Sequence, residues 1–117
     1  MAMSPVIYHN PRCSKSRQTL ALLSEASLEP QIIEYLEEGL AELEIRDLAT
    51  ALGCGFHELL RTKEAAYTTH DLHPQATDSE IIAALLESPE LLERPIVITE
   101  QGARFGRPPE TIREILP

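Results

Sequence analysis

Strand, helix and strand follow one another so closely between Pro5 and Leu36 that few topologies remain open to this chain. Pro5-Val6-Ile7-Tyr8 reads as a short buried strand, and Gln18-Thr19-Leu20-Ala21-Leu22-Leu23 as part of an opening helix. Ser27-Leu28-Glu29-Pro30 breaks the pattern, and Gln31-Ile32-Ile33-Glu34-Tyr35-Leu36 has the β-branched content of a second strand. Two strands joined through a helix pair in parallel, with a right-handed crossover. Glu37-Glu38-Gly39 closes the unit.

From Ala41 to about Ser88 the pattern is helical. Leu43, Leu48 and Leu52 recur at helical spacing, and Gly53 has the character of a terminator. Phe56 to Arg61 and Glu64 to His70 read as short helical pieces. Thr77-Asp78-Ser79-Glu80 fits a capping box ahead of the apolar residues Ile81 to Leu86. Pro89 opens a last turn, ended by Arg94-Pro95. Pro95 to Thr99 is then a strand, Gln101-Gly102 a tight turn, and Ala103-Arg104-Phe105 the returning strand of a hairpin. Gly106-Arg107-Pro108-Pro109 leads to a terminal helix, Glu110 to Leu116. The expected class is α/β: one domain over 1–117, its four-stranded mixed sheet flanked by helices in the order βαβ, helical insert at about 41–92, ββα.

Between the first strand and helix lies Tyr8-His9-Asn10-Pro11-Arg12-Cys13-Ser14-Lys15-Ser16-Arg17. The loop delivers Cys13 to the start of a helix, where unpaired N–H groups and the helix dipole favour an anion. Arg12, Lys15 and Arg17 add positive charge, and Arg17 lies one turn beyond Cys13. Together they favour the thiolate, the nucleophilic form of the side chain. A cysteine in polar, basic surroundings is a better candidate for chemistry than one inside an apolar run.

The formal net charge of -9 argues against affinity for nucleic acid or an anionic membrane. The basic residues are unevenly placed, with Arg12, Lys15 and Arg17 early and Arg94, Arg104, Arg107 and Arg113 late. A locally basic site in an acidic protein suits a small anionic ligand. With 2 cysteines there is no disulfide scaffold. Met1 to Tyr8 does not resemble a secretory leader, and the apolar run Ile81 to Leu86 is too short to span a bilayer. A reducing cytoplasm is the expected location, and a monomer the expected state.

The element order, with a cysteine at the amino end of the first helix, resembles the thioredoxin fold. The motifs resemble, more specifically, the glutaredoxin-coupled arsenate reductase family. They are His9-Asn10-Pro11-x-Cys13-x-x-Ser16-Arg17, Leu59-Leu60-Arg61, Glu93-Arg94-Pro95-Ile96-Val97, Gly106-Arg107-Pro108 and the ending Ile115-Leu116-Pro117. The resemblance implies that Cys13 attacks arsenate and that Arg61, Arg94 and Arg107 hold the oxyanion and the thiol–arsenate intermediate. It further implies supporting roles for His9 and Ser16, and a cis-proline at Pro95. Glutathione and glutaredoxin would supply electrons, with no bound metal or organic cofactor.

Elementary chemistry agrees with that assignment. A thiolate approaching a tetrahedral oxyanion needs fixed cations, and guanidinium binds two oxygens in a planar fork. Taken singly, Arg61 and Arg94 read equally well as solvated charges. Arg107 is held by a glycine and two prolines. His9 either stabilises the thiolate as an imidazolium or bonds the backbone of the turn. Ser16 either donates to the sulfur or is an ordinary first-turn residue. Cys54 reads as structural, and His57, His70 and His73 lack metal-ligand spacing.

Cys13-Ser14-Lys15-Ser16 lacks the second thiol of C-x-x-C, so a two-thiol oxidoreductase is disfavoured. Its C-x-x-S pattern leaves single-thiol, glutathione-dependent exchange on another substrate open. A low-molecular-weight phosphatase needs C-x5-R, and Thr19 stands where the arginine belongs. Spx-type regulators, which bind RNA polymerase without catalysis, typically carry C-x-x-C and lack the late arginine that Arg107 supplies here. Arsenate reductases commonly have Gly-Thr after the cysteine, where this chain has Ser14-Lys15.

Overall fold

A computed structural model describes residues 4–117; residues 1–3, part of the stretch read above for a leader, lie outside the described residues. The chain forms two compact units, one comprising the residues up to Glu38 with Arg94–Pro117, the other Gly39–Glu93.

The first unit holds the sheet. Strand β1 (Val6–Tyr8) leads through helix α1 (Ser14–Glu25) to β2 (Gln31–Ile33), and the short helix α2 (Tyr35–Glu38) follows. The hairpin β3 (Ile96–Thr99) and β4 (Gly102–Phe105) completes a four-stranded sheet of order β2-β1-β3-β4. β1 runs parallel to β2 and antiparallel to β3, with Ile7 opposite Ile32 on one side and Val97 on the other. This is the mixed sheet expected from the βαβ opening and the late hairpin. Ile7, Leu23, Val97, Ile112 and Ile115 form its core. The C-terminal helix, Pro109–Ile115, packs on α1 and β4 and is 3-10 throughout. Thr99 Oγ1 anchors it by donating to the Ile115 carbonyl at 2.6 Å.

The second strand is shorter than its composition suggests. Tyr35 and Leu36, expected to extend it, begin α2 instead. Glu38 Oε2 accepts the Glu34 N–H at 2.9 Å, and the Glu34 carbonyl accepts from Glu37 and Glu38. These bonds turn the chain and bury the Tyr35 ring completely, near that of Tyr8.

The second unit contains α3 (Glu42–Leu52), a 3-10 turn over Phe56–Leu59, α4 (Ala65–Thr69), α5 (Asp78–Glu87) and a second 3-10 turn over Pro89–Leu91. Gly53 ends α3 with φ 67°, a left-handed conformation that glycine adopts without a Cβ penalty. The capping box before α5 is present, Thr77 Oγ1 accepting the Glu80 N–H while Glu80 Oε1 accepts that of Thr77. The apolar face of α3 differs from the leucine spacing: Ile45, Leu48 and Ala49 are buried, and Leu43 is 69% exposed. Among the described residues, no helix is long and apolar enough to cross a membrane.

Candidate functional site

The loop after β1 is built from its own side chains. Asn10 and Pro11 begin a turn in which the Cys13 N–H returns to the Asn10 carbonyl at 3.0 Å. Asn10 Oδ1 accepts the Arg12 N–H at 3.0 Å, a local bond that asparagine is suited to make. Cys13 is thereby set at the N-cap of α1, with φ -93° and ψ 123°. It lies one residue ahead of the helix proper, half-buried, and makes no side-chain cap bond. No acidic residue occupies the first turn. The free N–H groups and the positive end of the dipole therefore meet no carboxylate from the first turn itself.

His9 and Ser16 form a pair directly beneath this turn. His9 Nδ1 lies 2.6 Å from Ser16 Oγ, which also accepts the Asn10 N–H at 3.0 Å. Ser16 is completely buried and His9 almost so. The His9 side chain thus bonds a hydroxyl. Burial pulls the His9 pKa below its ordinary value; Glu34 opposes that shift and Arg17 adds to it. The ring also lines a cavity of about 150 Å³ with Arg12, Glu34, Leu36 and Glu37.

Arg17 turns back onto the loop, donating from Nη1 to the Pro11 carbonyl at 2.9 Å. Its guanidinium therefore braces the turn. Arg94 and Arg107 meet within the same unit, where Arg107 Nη1 donates to the Arg94 carbonyl at 3.1 Å. Both Arg94–Pro95 and Arg107–Pro108 are cis; the first was expected from the resemblance, the second was not singled out. The Gly106 N–H donates to the Pro95 carbonyl at 2.9 Å, holding the two loops together.

Arg61 belongs to the second unit. Its guanidinium lies between two carboxylates, Glu64 at 3.3 Å and Glu93 at 3.6 Å, and is about three-quarters buried. It is a paired cation, neither freely solvated nor available to an anion without competition. Cys54 follows α3 in the same unit, where burial pushes its thiol pKa up and Glu58 adds to the effect. That disfavours the thiolate. His57 Nε2 lies 2.8 Å from Tyr67 Oη, and His70 Nε2 lies 3.0 Å from Ser88 Oγ. His73 accepts the Gln75 N–H through Nδ1.

Three residues of the site drew no role from the sequence. Asn10 shapes the turn, and its Asn-Pro dipeptide was a readable signal. Thr19, noted only as the wrong residue for a phosphatase, is fully buried and donates to the Lys15 carbonyl at 2.8 Å. Gly106 packs against it, which no local pattern discloses.

Known proteins resemble this chain over nearly its full length. A protein of Haemophilus influenzae named arsenate reductase is 43% identical over 116 residues, covering 97% of this chain and 100% of that one. The Escherichia coli protein YfgD, whose name states no activity, is 46% identical over 112 residues, covering 94% of each chain. The structure of a protein described as arsenate reductase from Vibrio cholerae superposes with a TM-score of 0.93 at 47% identity, covering 99% of this chain and 100% of that one. The shared architecture is thioredoxin-like. The model of the ArsC family matches residues 8–115, from the last residue of β1 to the end of the C-terminal helix, and the chain belongs to that family.

Proposed function

We propose that the protein is an arsenate reductase that uses Cys13 as its nucleophile and glutathione with glutaredoxin as its reductant. The carrying observation is Cys13 itself, half-buried at the N-cap of a helix whose first turn holds no acid. The arsenate reductases named among its relatives support the choice of oxyanion. In this reading the thiolate displaces an oxygen of arsenate as water, forming a sulfur–arsenic bond. Two further thiol equivalents then deliver two electrons: arsenic leaves as arsenite, and the thiols become a disulfide. Overall, arsenate and two thiols give arsenite, one disulfide and water. Glutathione is a co-substrate here, with no bound cofactor, and the enzyme acts as a cytoplasmic monomer.

Arg94 and Arg107 would stabilise the charge that accumulates as thiolate and oxyanion meet, with Arg61 contributing once the oxyanion competes for it with Glu64 and Glu93. Preorganised donors of this kind typically supply about 10²–10³ in rate each. His9 and Ser16 would support the sulfur from below, while Arg17 and Pro95 hold the loops on either side. The absence of a second thiol at position 16 means that an external thiol must resolve the intermediate.

The test is arsenate-dependent oxidation of glutathione by purified protein with glutaredoxin, run beside Cys13→Ser and Cys54→Ala. Turnover in the wild type and in Cys54→Ala, lost in Cys13→Ser, is the expected result. Absence of arsenate-dependent turnover in the wild type overturns the assignment. Glutathione-dependent disulfide exchange without arsenate would then identify a single-thiol oxidoreductase.

A further inference from the structure

Glu34 ends the run from β2 into α2, half-buried, on the wall of the cavity that His9 also lines. The same ring bonds Ser16 of α1 through Nδ1. Ser16 has one hydroxyl hydrogen, and its oxygen already accepts the Asn10 N–H. If the imidazole carries both protons, Nδ1–H donates to Ser16 and the hydroxyl hydrogen is free for another acceptor. A neutral ring with its proton on Nδ1 donates in the same way; with its proton on Nε2, Nδ1 is an acceptor and consumes that hydrogen, so a second proton matters to the rings in the Nε2–H form. Ser16 stands at the third position of α1, one turn from Cys13 and on the same face.

We propose that Glu34 is a positioning residue acting through His9: its carboxylate, across their shared cavity, favours a second proton on the imidazole and so frees the Ser16 hydroxyl for the Cys13 sulfur. The other charged groups around the ring are Arg17 of α1, Arg12 of the loop and Glu37 of α2. Burial and Arg17 oppose the imidazolium, and Glu34 is the group that counters them. The inference rests on the reading of Cys13 as the nucleophile only in its last step. Its first step concerns His9 alone.

Glu34→Gln tests it in the full chain, since the bonds that hold α2 use the Glu34 backbone and survive the change. Two quantities are read in a Cys54→Ala background: the NMR titration of the His9 ring, and iodoacetamide alkylation of Cys13 at about pH 6, where a histidine is partly protonated. The His9 titration is expected to move to lower pH and alkylation to slow. The sign of the second effect is diagnostic. Removing a nearby carboxylate with no part played by His9 would ease thiolate formation and speed alkylation. Glu37→Gln, in the same cavity, is expected to leave both quantities in place. An unmoved His9 titration, alkylation that is unchanged or faster, or an equal response to Glu37→Gln overturns the inference. Arsenate turnover enters neither measurement, so failure of the arsenate assignment leaves this result decisive for Glu34.

Discussion

A Cβ placed on Gly106 would lie 2.5 Å from Thr19 Oγ1, well inside the contact distance of the two atoms. The loop that carries Arg107 is therefore pressed against the helix that carries Cys13. Neither neighbour yields easily, because Thr19 is fully buried and tied to the Lys15 carbonyl, and the Pro95 ring stands 2.7 Å away on another side. Gly106→Ala is expected to destabilise the protein by about 1–3 kcal/mol through overpacking. Urea unfolding measures this, and an unchanged midpoint would show that the loop can settle elsewhere.

Arg107 is exposed, yet its Nη1 is anchored on the Arg94 carbonyl. The anchor restrains the guanidinium. Lysine keeps the charge but loses the planar fork. Arg107→Lys is expected to lower kcat/KM for arsenate by about 10²-fold, the usual cost of one lost preorganised donor. Stability should change by less than about 0.5 kcal/mol, as for a surface substitution. Steady-state kinetics beside urea unfolding separate the two. Full activity in the lysine variant would mean that charge alone suffices.

The pH dependence of stability follows from the sign of the His9 shift. Its pKa in the folded protein lies below the ordinary value of 6.5, with burial the main cause. The unfolded chain then binds the proton more tightly than the folded one. The associated stability is present in full above about pH 6.5 and is lost as pH falls through the lower folded value. Unfolding free energy measured from pH 8 to 5 should show this decline, and His9→Asn should flatten it. An equal slope in the two proteins would assign the decline to other groups.

Local chemistry made much of this molecule readable in advance. The βαβ opening follows from three short segments whose side-chain period and breaks allow little else. Thr77 and Glu80 cap α5 because both halves of the exchange lie within four residues. Gly53 ends α3 for an equally local reason, its missing Cβ. The loop carrying Cys13 was legible too, since a strand, an Asn-Pro turn and a helix start are all short-range features.

What the amino-acid order alone determined is the succession of the main elements along the chain, the four strands of one mixed sheet and the residue at the head of the first helix. Only tertiary structure decided that Tyr35 leaves the strand for a buried site, that Ile45 rather than Leu43 faces inward, and that His9 spends its Nδ1 on Ser16. It also decided that Arg61 is shared by Glu64 and Glu93, and that position 106 has room for hydrogen alone. The physical reason is the range of the forces involved. Periodicity, capping and turn formation act within a few residues, whereas burial, charge pairing and close packing depend on neighbours that the fold brings from elsewhere in the chain.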